Sequence, residues 1–157
     1  MNDLKHGILD VNGFLLGPET SMEDVSRFFG IKPNENCSNS FDLSHYRFVN
    51  NNQTFQFVNV WFDDDTKKLS FVSISPVLPD IAAKYDLSDY SKDWLPYYRE
   101  VRAILDAWLE KQLGEATYKD ADCTEYKTEN LLIATASYEE FQRDYHVEGG
   151  KLEIYYK

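Results

Sequence analysis

The chain has 157 residues, 43% hydrophobic and 15% aromatic, with 16 basic and 27 acidic side chains and a formal net charge of −11. A chain of this length buries a core without a metal or disulfide staple, and its aromatic content excludes disorder as the overall state. The charge argues against nucleic acid, whose binding needs a basic face to release counterions, and against an anionic membrane surface; a basic protein partner fits it, with solubility alone as the plain alternative.

Cys37 and Cys123 fall short of the about four ligands that a zinc site needs, so they read as buried or incidental thiols. "MNDLKHGILDVNG" carries no basic leader region, and no run approaches the roughly 18 apolar residues of a membrane span, so the expected compartment is the reducing cytoplasm.

In chain order, Asn12-Gly13 between apolar pairs in 7–16 marks a turn within extended chain. Thr20 with Glu23 three residues on matches a capping box. Met22, Val25, Phe28 and Phe29 share one helical face and Gly30 closes it, which predicts a short helix over 20–29. Residues 31–40 read as a loop. Strands are predicted over 41–49, 53–62 and 69–75, joined at Asn50–Asn52 and Asp63–Lys68 as a meander. In the middle strand, alternation puts Phe55, Phe57, Asn59 and Trp61 on one face and Val58, Val60 and Phe62 on the other.

Residues 76–96 read as a long connection with room for one helical turn. Val101, Ile104, Leu105, Trp108 and Leu109, extended by Leu113, then predict a helix over 97–113, with Pro96 in its first turn and Gly114 beyond its end. Strands near 115–127 and 131–137 follow. A short helix is expected over 137–145, capped by Ser137 with Glu140 three residues on. In a last strand, Leu152, Ile154 and Tyr156 alternate. The expected fold is α+β: antiparallel meanders covered on one face by the long and the short helix. It forms a single domain, 1–157, whose parts 1–78 and 91–157 look alike in outline across a connector at 79–90.

Candidate chemistry is sparse. "WFDDDTKKLSF" places Asp63, Asp64 and Asp65 side by side. A calcium loop instead spaces its acids at alternate positions, with a glycine and a closing glutamate, to gather six to eight oxygens. Adjacent side chains in extended chain point apart, so the run reads as a hairpin turn that adds negative charge. His45 lies eight residues from Cys37 with nothing local to orient a nucleophile pair, and no phosphate-cradling glycine motif occurs. No catalytic residue, cofactor or metal is assigned.

The segment "YDLSDYSKDWLPYY" supplies Tyr85, Asp86, Asp89, Tyr90, Asp93, Trp94 and Tyr97. It admits two readings: aromatics pinning the connector onto the core, or an acidic, aromatic contact surface for a lysine- or arginine-rich partner.

"FLLGPETSMEDVSRFFGIKP", followed by "VWFDDDTKKLSFVSI", resembles small bacterial α+β proteins of the β-lactamase-inhibitor-like kind, and is similar to immunity proteins of toxin systems. The resemblance spans residues 13–75. It implies a small sheet with a packed helix and a protein-binding role, and it transfers no functional residue. The resulting expectation is a non-enzymatic protein that occludes a basic toxin through 85–98, with Asp63–Asp65 as auxiliary. The alternatives are an acidic chaperone or adaptor for a secreted effector, and an enzyme using scattered acids or His45.

Overall fold

The computed structural model describes residues 2–85, 93–137, 140–141, 146–147 and 149–157. The chain is α+β. A 3-10 turn at Leu4–His6 leads into a hairpin of β1 (Leu9–Val11) and β2 (Phe14–Leu16), then α1 (Met22–Phe29). The strands β3 (Ser40–Phe41), β4 (Arg47–Asn50), β5 (Gln53–Phe62) and β6 (Leu69–Pro76) come next. Two helices, α2 (Pro79–Lys84) and α3 (Leu95–Leu113), separate these from β7 (Tyr118–Lys119), β8 (Cys123–Lys127) and β9 (Leu131–Ala136). The described chain ends with β10 (Glu140–Phe141), β11 (His146–Val147) and β12 (Leu152–Tyr156).

Eight strands form one sheet in the order β3-β5-β6-β12-β9-β8-β7, with β4 also pairing β5. Every pairing among its described strands is antiparallel. The last strand in sequence thus lies between β6 and β9 and joins two meanders: Ile154 stands opposite Val72 on one side and Ile133 on the other. These three residues and Val60 form a buried row, and they share one core with Val101, Leu105 and Leu109 of α3 and Val25 of α1.

The predicted meander connections form as expected, with left-handed residues supplied by asparagines at Asn51-Asn52 and by Lys67 in the Asp63–Lys68 turn. Asn12 and Gly13 turn the first hairpin, and Asn51 and Asn52 turn β4 into β5, all at positive φ. Buried Asn50 ties three parts together. Its amide donates to Asn2 Oδ1 and Asp10 O, each at 3.0 Å, while its own carbonyl accepts from Trp108 Nε1 at 3.1 Å.

Several local expectations need correction. Ser21, not Thr20, caps α1: its hydroxyl accepts from Asp24 N and the Asp24 carboxylate accepts from Ser21 N, both at 3.0 Å. Thr20 is buried one residue earlier and holds the preceding turn, accepting from Gly17 N and donating to Leu15 O.

The strand expected over 41–49 is two strands, split where Asp42 accepts from the Ser44 amide and Tyr46 N bonds back to Leu43 O. The strand expected over 115–127 is likewise a hairpin of β7 and β8, turned where Asp120 Oδ1 accepts from Asp122 N and Cys123 N. In β5 a register shift between Phe57 and Asn59 moves the alternation by one residue. Phe55 and Phe57 therefore share the core with Val60 and Phe62, and Trp61 falls on the opposite face. Where a helix was expected over 137–145, Glu140–Phe141 form a strand that pairs antiparallel with His146–Val147, and 138–139 and 142–145 lie outside the described residues. Ser137 accepts from Arg102 instead of capping a helix.

Candidate protein-binding surfaces

Helix α3 begins two residues earlier than its apolar stripe suggested, and its first turn collects aromatic rings. Trp94 lies 6.3 Å from Tyr97 and 6.2 Å from Tyr98 between centroids, and Tyr85 lies 5.7 Å from Tyr97. Lys84 donates to Glu100 Oε1 at 2.7 Å, and the Tyr85 hydroxyl donates to the same carboxylate. These two donors hold the Glu100 carboxyl below its usual range. Burial raises the Tyr97 phenol, and Tyr98 packs so closely on Gly150 that a Cβ there would lie 3.3 Å from its ring.

Tyr85, Trp94 and Tyr97 are therefore brought together, half-buried, and the bonds to Glu100 fasten the connector to α3. Asp93 is exposed at the same corner. Its Oδ1 accepts from Leu95 N at 3.0 Å, which helps start the helix. Asp86, Asp89 and Tyr90, from the same expected surface, lie outside the described residues.

Asp63, Asp64 and Asp65 form an exposed turn between β5 and β6. Asp63 Oδ1 accepts from Thr66 N at 2.8 Å and Asp65 N at 2.9 Å, and these bonds lower its pKa. Lys67 takes the positive φ that closes the turn. The turn precedes β6, whereas the aromatic corner follows it and adjoins Gly150, whose carbonyl accepts from Ser75. The length of β6, on the order of 25 Å, separates the two parts of the surface expected from the sequence.

A third surface was not foreseen. Trp61, Phe71, Tyr155 and Leu132 stand opposite one another across β5, β6, β12 and β9. They alternate with the buried row Val60, Val72, Ile154 and Ile133, so they occupy the sheet face turned away from α3. Trp61, Phe71 and Tyr155 are half-buried, with the Phe71 and Tyr155 rings 4.9 Å apart. In the next row, buried Glu153 accepts from the Tyr155 hydroxyl at 2.6 Å, and Glu125 lies on the same face two strands away. An antiparallel sheet ordinarily turns polar side chains outward on its second face, so an aromatic row there departs from the pattern. Trp61 and Phe71 were visible in the sequence as strand residues, but their shared face depends on the β5 register shift.

Within the sheet's other face, α3 buries an ion pair. Arg102 Nε lies 3.3 Å from Asp106 Oδ2, and the guanidinium donates to the carbonyls of Asp120 and Ala121 and the hydroxyls of Thr124 and Ser137. Asp106 accepts from Thr124 and Thr135. Every one of these partners belongs to β8, β9 or the adjoining turns, which makes the pair a clasp between α3 and the sheet.

No group of three or more His, Cys, Asp or Glu placed to hold a metal occurs among the described residues. No described helix is long and apolar enough to cross a membrane. No protein-family model matches the chain, and neither the curated proteins nor the solved structures give a significant match.

Proposed function

We propose that the protein is a non-enzymatic, acidic binding module that neutralises a basic protein by covering it, as the immunity protein of a bacterial toxin does. The observation that carries this reading is the cross-strand row Trp61–Phe71–Tyr155 on the face turned away from α3. Tryptophan and tyrosine give large contact area at small entropic cost and dominate the energy of protein interfaces. The net charge of −11 adds a long-range attraction for a basic surface and speeds encounter. Asp93 at the α3 corner serves that steering together with Asp86 and Asp89 of the preceding sequence, and Tyr85, Trp94 and Tyr97 hold the corner in place. Two cysteines, Cys37 and Cys123, with no metal-ligand spacing between them fit a reducing cytoplasm.

The test is affinity capture from the source cells with wild-type protein and with Trp61→Ala, Tyr155→Ala and Asp86→Lys/Asp89→Lys/Asp93→Lys variants. A basic polypeptide is expected, inhibited when the wild-type protein is added back. Each aromatic truncation should weaken its binding by about 2 kcal/mol or more. Triple charge reversal should slow association about tenfold at low salt and much less at high salt. A captured protein that binds all variants equally, or stays fully active when bound, overturns the proposal.

A further inference from the structure

At the end of the sheet where β6 begins and β12 ends lies a cleft of about 910 Å³. Three turns wall it: the 3-10 turn Leu4–His6, the aspartate turn, and the β8–β9 turn. Backbone bonds fix each of them, from Gly7 N to Leu4 O (3.1 Å), Asp63 N to Lys68 O (2.8 Å) and Thr128 N to Leu131 O (2.8 Å). Tyr156 fastens the first turn to the sheet by donating to Gly7 O at 2.6 Å. A Cβ on Gly7 would stand 2.8 Å from the Tyr156 ring and 2.9 Å from Leu131, so the backbone approaches as closely as glycine allows. The cleft is therefore built into the fold.

Its charge runs against that of the molecule. Lys5, Lys68 and Lys157 line it, and none of them has a carboxylate within ion-pairing distance among the described residues. Against these three ammonium groups stand two carboxylate side chains, Glu19 and Asp63, the latter with its Oδ1 turned to two backbone amides, so the lining side chains carry a net charge of +1 in a molecule of net charge −11.

We propose that this cleft binds a small organic anion, its phosphate or carboxylate met by Lys5, Lys68 and Lys157 and its apolar body laid against Tyr156 and Leu131. The volume falls in the range of small-molecule sites, about 300–1,000 Å³. Converging ammonium groups in a concave wall concentrate positive potential where an anion would sit. On this view the aspartate turn matters as the wall that carries Lys68, apart from any contact with a protein partner.

Amide-resolved NMR titrations with phenyl phosphate, benzoate and neutral benzyl alcohol test the proposal. One or both anions should produce saturable shifts at Lys5, Lys68, Leu131 and Lys157, and the tighter one identifies the head group. Lys68→Glu should weaken binding about threefold, and Lys5→Glu/Lys68→Glu about tenfold. Arg47→Glu, the same charge change on the exposed edge strand β4, should leave affinity within about twofold. The lysines are exposed, so these reversals leave the core intact. Shifts that fail to saturate by about 10 mM, an equal response to benzyl alcohol, or equal weakening by Arg47→Glu overturn the proposal.

Discussion

Arg102 and Asp106 stand one helical turn apart on α3, and both are buried. A charged pair at that spacing normally lies on the solvated face, which is why the apolar stripe alone was legible in the sequence. What pulls them inward is a set of hydroxyls, Thr124, Thr135 and Ser137, turned toward the helix from β8, β9 and the residue after it. Asp106→Ala leaves the guanidinium buried and uncompensated, so it should cost about 3–5 kcal/mol in urea denaturation. Arg102→Met combined with Asp106→Leu should cost much less, because an apolar pair has no charge to desolvate.

Asp120 offers a test by pH. The Tyr118 hydroxyl, then the Cys123 and Asp122 amides, hold its carboxyl at about 2, below the ordinary 3.8. A depressed carboxyl stabilises the fold above its unfolded pKa, and that stabilisation disappears as pH falls through the folded value. The stability gap between wild type and Asp120→Asn should therefore be full above about pH 4 and close toward pH 2. The same contact pushes the Tyr118 phenol up to about 12. Tyrosinate absorbance should show one tyrosine ionising earlier, near its ordinary value, in Asp120→Asn.

The hydrophobic period made the extents of β5, β6 and α3 legible, and asparagines marked the turns at Asn12-Gly13 and Asn51-Asn52. The failures fall where a side chain bonds to the backbone and interrupts that period. Asp42 interrupts a predicted strand, whose two parts both pair β5, Asp120 folds another back into a hairpin, and Ser21 takes the cap from Thr20 because its hydroxyl, not its neighbour's, reaches the third helical amide. Ser21→Ala should lower stability by about 1 kcal/mol through loss of that bond, measured by chemical denaturation. The register shift in β5 belongs to another kind of miss. Which face Trp61 takes is decided by pairing with β6, and no pattern within β5 alone specifies it.

The order of strands in the sheet was beyond reach of local pattern, because it depends on contacts between residues far apart in sequence. For the same reason the expected binding surface was only partly legible. Tyr85, Trp94 and Tyr97 do converge, but Asp63–Asp65 stand at the other end of β6, and the aromatic row appears only when β12 lies between the two meanders. Ile154, wholly buried between Val72 and Ile133, tests that dependence. Ile154→Asp should cost more than about 4 kcal/mol and abolish dispersed amide signals from both meanders together, because the carboxylate has no partner there.

The central position of β12 also has a consequence for synthesis. The strand that joins the meanders is the last of the sheet to leave the ribosome. At about 5–20 residues per second, β6 waits roughly 4–15 s with one apolar edge unpaired. During that interval the nascent chain offers open β-edges to any neighbouring copy, and its yield in cells should depend on the chaperones that reach it first.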